Sequence, residues 1–512
     1  MNINSYFQHW AITENPFRAE EARHDPVFAR LGDTNAAHPD FEKIVGDLRR
    51  PSTSIVFGEK GSGKTAIRLQ LQERIEAHNQ AHPDARILLV PYDDLNPVVD
   101  RLLAHHSVGP GSKDQLILET LRNFRLVDHF DAILHTATTR LVDACLNDSE
   151  PDRQKSFPES PAKRLRQEPF TTRQNLILLQ AVYAEDDETC SRLRRLCRKL
   201  KAPPDFRTLL WLFFSAVGWL PPAALFFAAL LSPQVDLGSR TVQIGFILLV
   251  AAWLLAVVYG LFWRMWSATR LAKRIHRQVI TTGRSLRSLA RAIPLIPESL
   301  RRGSGLPTDD SDDTRYAMLD RLRAVLRPLG ITGIIVVVDR VDEPTLVNGA
   351  PDRMRAIVWP LLNNKFLQQD GLGIKMLLPI ELRHELFRES TAFFQEARLD
   401  KQNLVERLSW TGAMLYDICN ARLTACRAPD AEPISLADLF ETDVTRQDII
   451  DALDQMHQPR DAFKLLYRCI QEHCSNVTEE QASWRIPRLV LESVRRQQSD
   501  RVQEFSRGFR PA

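Results

Sequence analysis

Gly58-Glu59-Lys60-Gly61-Ser62-Gly63-Lys64-Thr65 spells G-x-x-x-x-G-K-T, set between an apolar run, Ser54-Ile55-Val56-Phe57, and a helical pattern from Ala66 to Ile75. A strand that turns through glycines into a helix is the context in which this pattern cradles phosphate. The glycines let backbone N–H groups curl around phosphate oxygens, and the helix N-terminus adds its partial positive charge. Lys64 is spaced to reach the terminal phosphates of a nucleotide, and the Thr65 hydroxyl to ligate Mg²⁺. Gly58, Gly61, Ser62, Gly63, Lys64 and Thr65 are therefore the candidate nucleotide-binding residues. A glycine-rich surface turn with a solvated lysine is the plain alternative, and it leaves the flanking strand and helix unexplained.

A chain of 512 residues is long enough for two or more structural units with a sizeable core. Its net charge of +3 does not make it a polycation seeking nucleic acid. The seven cysteines (Cys145, Cys190, Cys197, Cys419, Cys426, Cys469 and Cys474) form no C-x-x-C pair, which points to thiols in a reducing compartment rather than a disulfide framework or a zinc site. Met1 to Trp10 lacks a basic segment followed by an apolar one, so no cleavable signal peptide is expected.

Two uncharged runs, Leu209 to Leu231 and Val242 to Trp263, stand out from the rest. Each would be about 33 Å long as a helix, against a hydrocarbon core of about 30 Å. They read as a transmembrane hairpin joined by a short connector, Ser232 to Thr241, with a kink expected at Pro221 and Pro222. Arg192, Arg194, Arg195, Arg198, Lys199, Lys201 and Arg207 precede the first run; Arg264, Arg270, Lys273, Arg274 and Arg277 follow the second. This asymmetry predicts that both termini are cytoplasmic and that the basic flanks meet anionic lipid, with nucleic acid a disfavoured partner.

Elsewhere, Ala85 to Pro91 reads as a buried parallel strand, Val99 to Leu146 as mainly helical, and Asn147 to Gln174 as an exposed linker. Glu298 to Thr314 reads as a flexible linker whose aspartates lack the glycine and closing glutamate of a calcium loop. Gly333 to Val338 is a β-branched strand that delivers Asp339 at its end, followed by Arg340, Val341, Asp342 and Glu343. A carboxylate so placed suits Mg²⁺, which makes Asp339 a candidate metal residue beside Thr65. Asp342 or Glu343 could orient and deprotonate an attacking water. Gly373 to Leu378 is a further strand, and the chain from Leu404 onward is helical.

Ile334-Ile-Val-Val-Val-Asp-Arg-Val-Asp-Glu343 resembles the acidic motif of the STAND branch of AAA+-like ATPases. That resemblance places Asp339 at the Mg²⁺ position and Asp342 at the hydrolytic one, while Arg340 departs from the residue usual there. A hairpin inserted between the glycine-rich loop and the acidic strand looks like the architecture of KAP ATPases, without that group's tryptophan in the loop. His457-Gln-Pro-Arg-Asp461 is similar to the element whose arginine senses the terminal phosphate, which makes Arg460 a nucleotide-binding candidate; Arg398, Arg383 and Glu381 are weaker candidates for the finger and sensor positions.

The expected fold class is α/β: a parallel P-loop NTPase sheet flanked by helices, interrupted by an inserted helical segment and transmembrane hairpin, with a C-terminal all-helical lid. The expected divisions are 1–105 and 316–403 for the two halves of the nucleotide domain, 106–206 for the helical insert, 207–264 for the hairpin, 265–315 for a basic helix and linker, and 404–512 for the lid. The resemblance implies an inner-membrane, Mg²⁺-dependent ATPase that couples ATP binding and hydrolysis to conformation or homo-oligomer assembly, as relatives do in signalling and defence. Its catalytic candidates are Lys64, Asp342 and Glu343. The alternatives are a nucleotide-gated membrane scaffold with little hydrolysis and a DNA-tethering ATPase. A GTPase is disfavoured because Asn364-Lys365-Phe366-Leu367 lacks the aspartate of a guanine-reading N-K-x-D. His105 and His106 have no acidic ligands at metal spacing.

Overall fold

The structure is a computed structural model that describes residues 1–18, 21–31, 37–106, 113–146, 155–185, 190–202, 206–231, 239–303, 305–478 and 483–506. Five strands, β1 (Ser54–Gly58), β2 (Arg86–Tyr92), β3 (Ile331–Val338), β4 (Leu372–Pro379) and β5 (Asn403–Val405), form one sheet in the order β2-β3-β4-β1-β5. Every pairing is parallel. The first four strands fall on the apolar runs read from the sequence. β5, only three residues long, carries no such signal.

A parallel sheet must be covered on both faces, and alternate side chains go to opposite ones. Val56, Ile87, Leu89, Ile335, Val337 and Leu377 pack with Ile67, Leu71 and Ile75 of the helix Lys64–Ala81 and with the short helix Phe41–Val45. Ile55, Phe57, Leu88, Val90, Val336 and Met376 belong to a larger core on the other face. The helices Leu126–Leu146, Phe170–Tyr183 and Asp312–Leu326 supply that core and pack on one another.

The segment 106–206, expected as a helical insert, supplies much of one of the sheet's own covering layers. Nor is 147–174 an exposed linker in its described part. Pro161–Gln167 is helical, and Phe157, Ala162 and Leu165 are buried in the same core. Composition misleads there because a few apolar residues on one helix face suffice to dock it. The flexible linker expected at 298–314 also has structure. Glu298–Arg302 is helical, Leu306 is buried, and Ser311 caps the helix Asp312–Leu326 by accepting a hydrogen bond from Asp313 N. The aspartates of that run lie where a helix N-terminus favours negative charge.

The first apolar run is not one continuous helix but two, Phe206–Val217 and Leu220–Leu231. Pro221 and Pro222 lack the N–H groups that the carbonyls of Val217 and Gly218 would otherwise accept, and the break falls there. The second run continues through a π-helical turn, Val258–Trp263, into the basic helix Arg264–Gln278. Among the described residues, the helix Arg240–Gln278 is long and apolar enough to cross a membrane, by length and composition. Most of the connector expected at 232–241 lies outside the described residues.

The helices Gly412–Ala425, Arg446–Asp454, Pro459–Asn476 and Arg488–Ser506 build a second core. Tyr6, Phe7, Ile12 and Phe17 are part of it. Arg422 fixes this docking through an ion pair with Asp25 at 2.7 Å and a hydrogen bond from its Nε to the Pro16 carbonyl, both buried. The chain's first residues, expected with the sheet, therefore pack with its C-terminal helices.

Candidate functional site

The carboxyl ends of the strands gather the residues singled out by sequence. β1 ends on Gly58, β3 ends one residue before Asp339, and β4 ends two residues before Glu381. Because β4 lies between β1 and β3, the glycine-rich loop and the acidic segment stand about 10 Å apart in strand spacing.

The loop folds through two left-handed glycines, Gly61 at φ +101° and Gly63 at φ +97°, and Lys64 begins the following helix. Other residues rarely adopt these angles. The Ser62 hydroxyl and amide both donate to the Glu59 carbonyl, at 2.8 and 3.2 Å. Lys64 Nζ donates to the carbonyls of Gly58 at 2.6 Å and Glu59 at 3.0 Å. Burial lowers the pKa of the Lys64 ammonium, and Asp342, Asp339, Glu381 and Glu59 pull it back up, in that order of strength. Lys64 thus ties the loop electrostatically to the carboxylates of the acidic segment. Thr65 follows it in the first turn of the same helix.

Asp339 is almost wholly buried, at 1 % exposure. Burial pushes its carboxyl up to about 6, against the opposing pull of Arg68, Lys64 and the Arg340 N–H. That N–H donates to Asp339 Oδ1 at 2.9 Å. The other oxygen, Oδ2, has no hydrogen-bond partner, and Arg68 Nε stands 3.8 Å from it, too far to donate. Arg68 and Arg23 both pair with Asp93. A buried carboxylate oxygen without a donor fits a hard divalent cation. Among the described residues, no group of three or more His, Cys, Asp or Glu is arranged to hold a metal. Mg²⁺ does not need one, since it is commonly held by one or two protein oxygens together with substrate phosphates.

Asp342 and Glu343 part company. Asp342 is the foremost of the charges acting on Lys64 and its carbonyl accepts from Gly349 N at 3.0 Å, whereas Glu343 is exposed and paired with Arg340 at 3.3 Å. Arg340 itself is left-handed, at φ +59°, and also pairs with Glu21.

From the C-terminal helices, Arg460 reaches the loop. A Cβ added to Gly61 would stand 3.0 Å from both Cβ and Cδ of Arg460. The other cationic candidates are elsewhere engaged or outlying: Arg383 pairs with Glu406 at 2.8 Å, and Arg398 is exposed as the cap of a short helix. His105 is exposed near the end of Asn96–His106. Asn363, beside the incomplete guanine-reading pattern, caps a short helix by accepting from Phe366 N at 3.2 Å.

Sequence reasoning missed Trp410, whose indole Nε1–H donates to the Ser62 carbonyl at 2.8 Å, as well as Arg68 and Asp93. Arg68 carries a usable signal, since it lies one helical turn past Thr65 and so shares a face with the loop. Trp410 carries none. No family model, no curated protein and no solved structure matches this chain.

Proposed function

We propose that this chain is a membrane-anchored, Mg²⁺-dependent ATPase, with nucleotide bound at the carboxyl end of a P-loop NTPase sheet and covered by a helical lid beginning near Trp410. One observation carries this reading: Lys64, in a glycine-rich loop at a helix N-terminus, shares its electrostatic surroundings with Asp339, Asp342 and Glu381 from two other strand ends. The loop's N–H groups and Lys64 bind the phosphates. Thr65 and Asp339 would hold Mg²⁺, which neutralises phosphate charge when bound. Asp342 takes the proton of the attacking water, and Arg460 senses the terminal phosphate from the lid.

The apolar helices, exposed over Phe213, Phe227, Ile247, Leu255 and Phe262, hold this domain at the inner membrane, with both termini in the cytoplasm. The chain would thereby couple nucleotide state to conformation or assembly at the bilayer. The test is Mg²⁺-dependent phosphate release by purified protein, with ATP and GTP in competition. Equal activity in wild type and Lys64→Ala would overturn the reading.

A second reading, a nucleotide-gated scaffold with little turnover, draws on Arg340. Its pairing with Glu343 and Glu21 places a cation within the acidic segment. Tight ATP binding without measurable phosphate release would favour it.

A further inference from the structure

We infer that Trp410 is a positioning residue for phosphate recognition: it turns one peptide of the glycine-rich loop so that the Gly63 N–H faces the phosphate. The inference rests on the phosphate-site reading of that loop.

A trans peptide is planar, so its C=O and N–H point in opposite directions. The Ser62 carbonyl accepts from the Trp410 indole at 2.8 Å. The Gly63 N–H, on the other side of the same peptide, is therefore directed away from Trp410. Gly63, at φ +97°, sits in a region that glycine adopts at little cost, so its own backbone does little to fix the orientation of this plane. An N–H aimed at an anion binds it; one rotated away does not.

The chain around Trp410 is held at three points. The Leu408 N–H donates to the Phe57 carbonyl at 2.8 Å, so the chain beyond β5 runs alongside β1 and brings Trp410 to the loop. Arg407 pairs with Glu59 at 2.6 Å. His38 stands edge-on to the indole, with ring centroids 4.7 Å apart, and its Nε2–H donates to the Ser409 carbonyl at 2.8 Å. At 8 % exposure Trp410 has little room to turn. It also lies one residue before Thr411, the cap of helix Gly412–Ala425, so the peptide that would face phosphate is bonded to the joint of the C-terminal helices.

The experiment measures binding of inorganic tripolyphosphate and of ATP to the full chain in detergent, well below its melting temperature. Trp410→Phe keeps a ring and removes the donor. Its affinity for both ligands is expected to fall by about five- to tenfold, the worth of one lost hydrogen bond and its misaimed partner. A purely structural Trp410 would lower the melting temperature and leave tripolyphosphate affinity within twofold of wild type, which overturns the inference. Should Trp410→Phe not fold, His38→Ala serves instead: it frees the indole without removing it, and a two- to threefold loss is expected where no loss overturns. Lys64→Ala is run alongside. If it too binds tripolyphosphate like wild type, the phosphate site fails as a whole; if it is weakened and Trp410→Phe is not, only the role of Trp410 falls.

Discussion

Arg315 Nη2 and Asp131 Oδ2 meet at 3.0 Å with neither side chain exposed, and 184 positions of chain separate them. Tyr183 adds a hydrogen bond of 2.9 Å from its hydroxyl to the other Asp131 oxygen. The three residues lie on the three helices that cover one face of the sheet, and both apolar runs fall between Tyr183 and Arg315 in sequence. The pair therefore fastens the chain before the two apolar runs to the chain after them, at the layer beneath β2 and β3.

Removing one partner leaves a charge buried without compensation. Arg315→Met is expected to destabilise the fold by about 3–5 kcal/mol, while Asp131→Leu combined with Arg315→Met recovers much of the loss. Burial already pushes the Asp131 carboxyl up to about 6 despite Arg315. Urea unfolding of the three proteins at one pH checks the order, and a double variant no more stable than the single one would count against the pair as fastener.

On the proposed reading, in which Asp339 helps hold Mg²⁺, its carboxyl sets a pH dependence for the metal. Proton and metal compete for one carboxylate, whose pKa stands at about 6. Apparent Mg²⁺ affinity should be flat above pH 7 and fall by about tenfold per unit well below 6. Arg68 holds that carboxyl down, so Arg68→Gln should move the midpoint to higher pH. Mg²⁺ titrations of ATP hydrolysis or binding across pH 5 to 8 would show it; a midpoint that does not move removes Arg68 from the site.

How far the sequence was readable follows from range. Four strands and the loop are local patterns, and each stands where its residues put it. Lys375 lies inside Gly-Ile-Lys-Met-Leu-Leu, and a strand pattern says nothing of which helix will face it. Phe157 and Leu165 stand in a stretch that reads as linker, because their burial depends on helices far along the chain. Trp410 is a lone aromatic in Ser-Trp-Thr, and only the path of β5 beside β1 gives it the Ser62 carbonyl. Asp131 and Arg315, each ordinary in its own helix, acquire meaning only as a pair.

Lys375 is fully buried in β4, and its Nζ donates to the Val45 carbonyl at 3.0 Å, at the end of helix Phe41–Val45. Burial lowers its pKa from 10.5 to about 7. Between these values the unfolded chain keeps a proton that the folded chain has shed, so stability rises with pH through that window. Below about 7 the cost of the buried charge is full, and above 10.5 it is absent. Lys375→Met should remove this slope, so that wild type gains on the variant as pH rises from 7 to 10. Melting curves of the two proteins that stay parallel over that range would refute the shift.

The choice between Asp342 and Glu343 can be made by their surroundings. On the proposed reading a base acts close to Lys64, where the terminal phosphate and its attacking water would lie, and Asp342 has the strongest electrostatic effect on Lys64 of the carboxylates around it. Glu343 points its charge at Arg340, and an exposed ion pair of this kind is worth about 0–1 kcal/mol. Asp342→Asn should therefore lower kcat by about 10²- to 10⁴-fold with ATP affinity retained. Glu343→Gln should change kcat by less than about fivefold, which is what an exposed pair of that worth can contribute. Single-turnover hydrolysis measured beside ATP binding separates the two effects. Loss of turnover in Glu343→Gln with Asp342→Asn still active would exchange the roles, and would mean that the Arg340 pair opens before water is attacked.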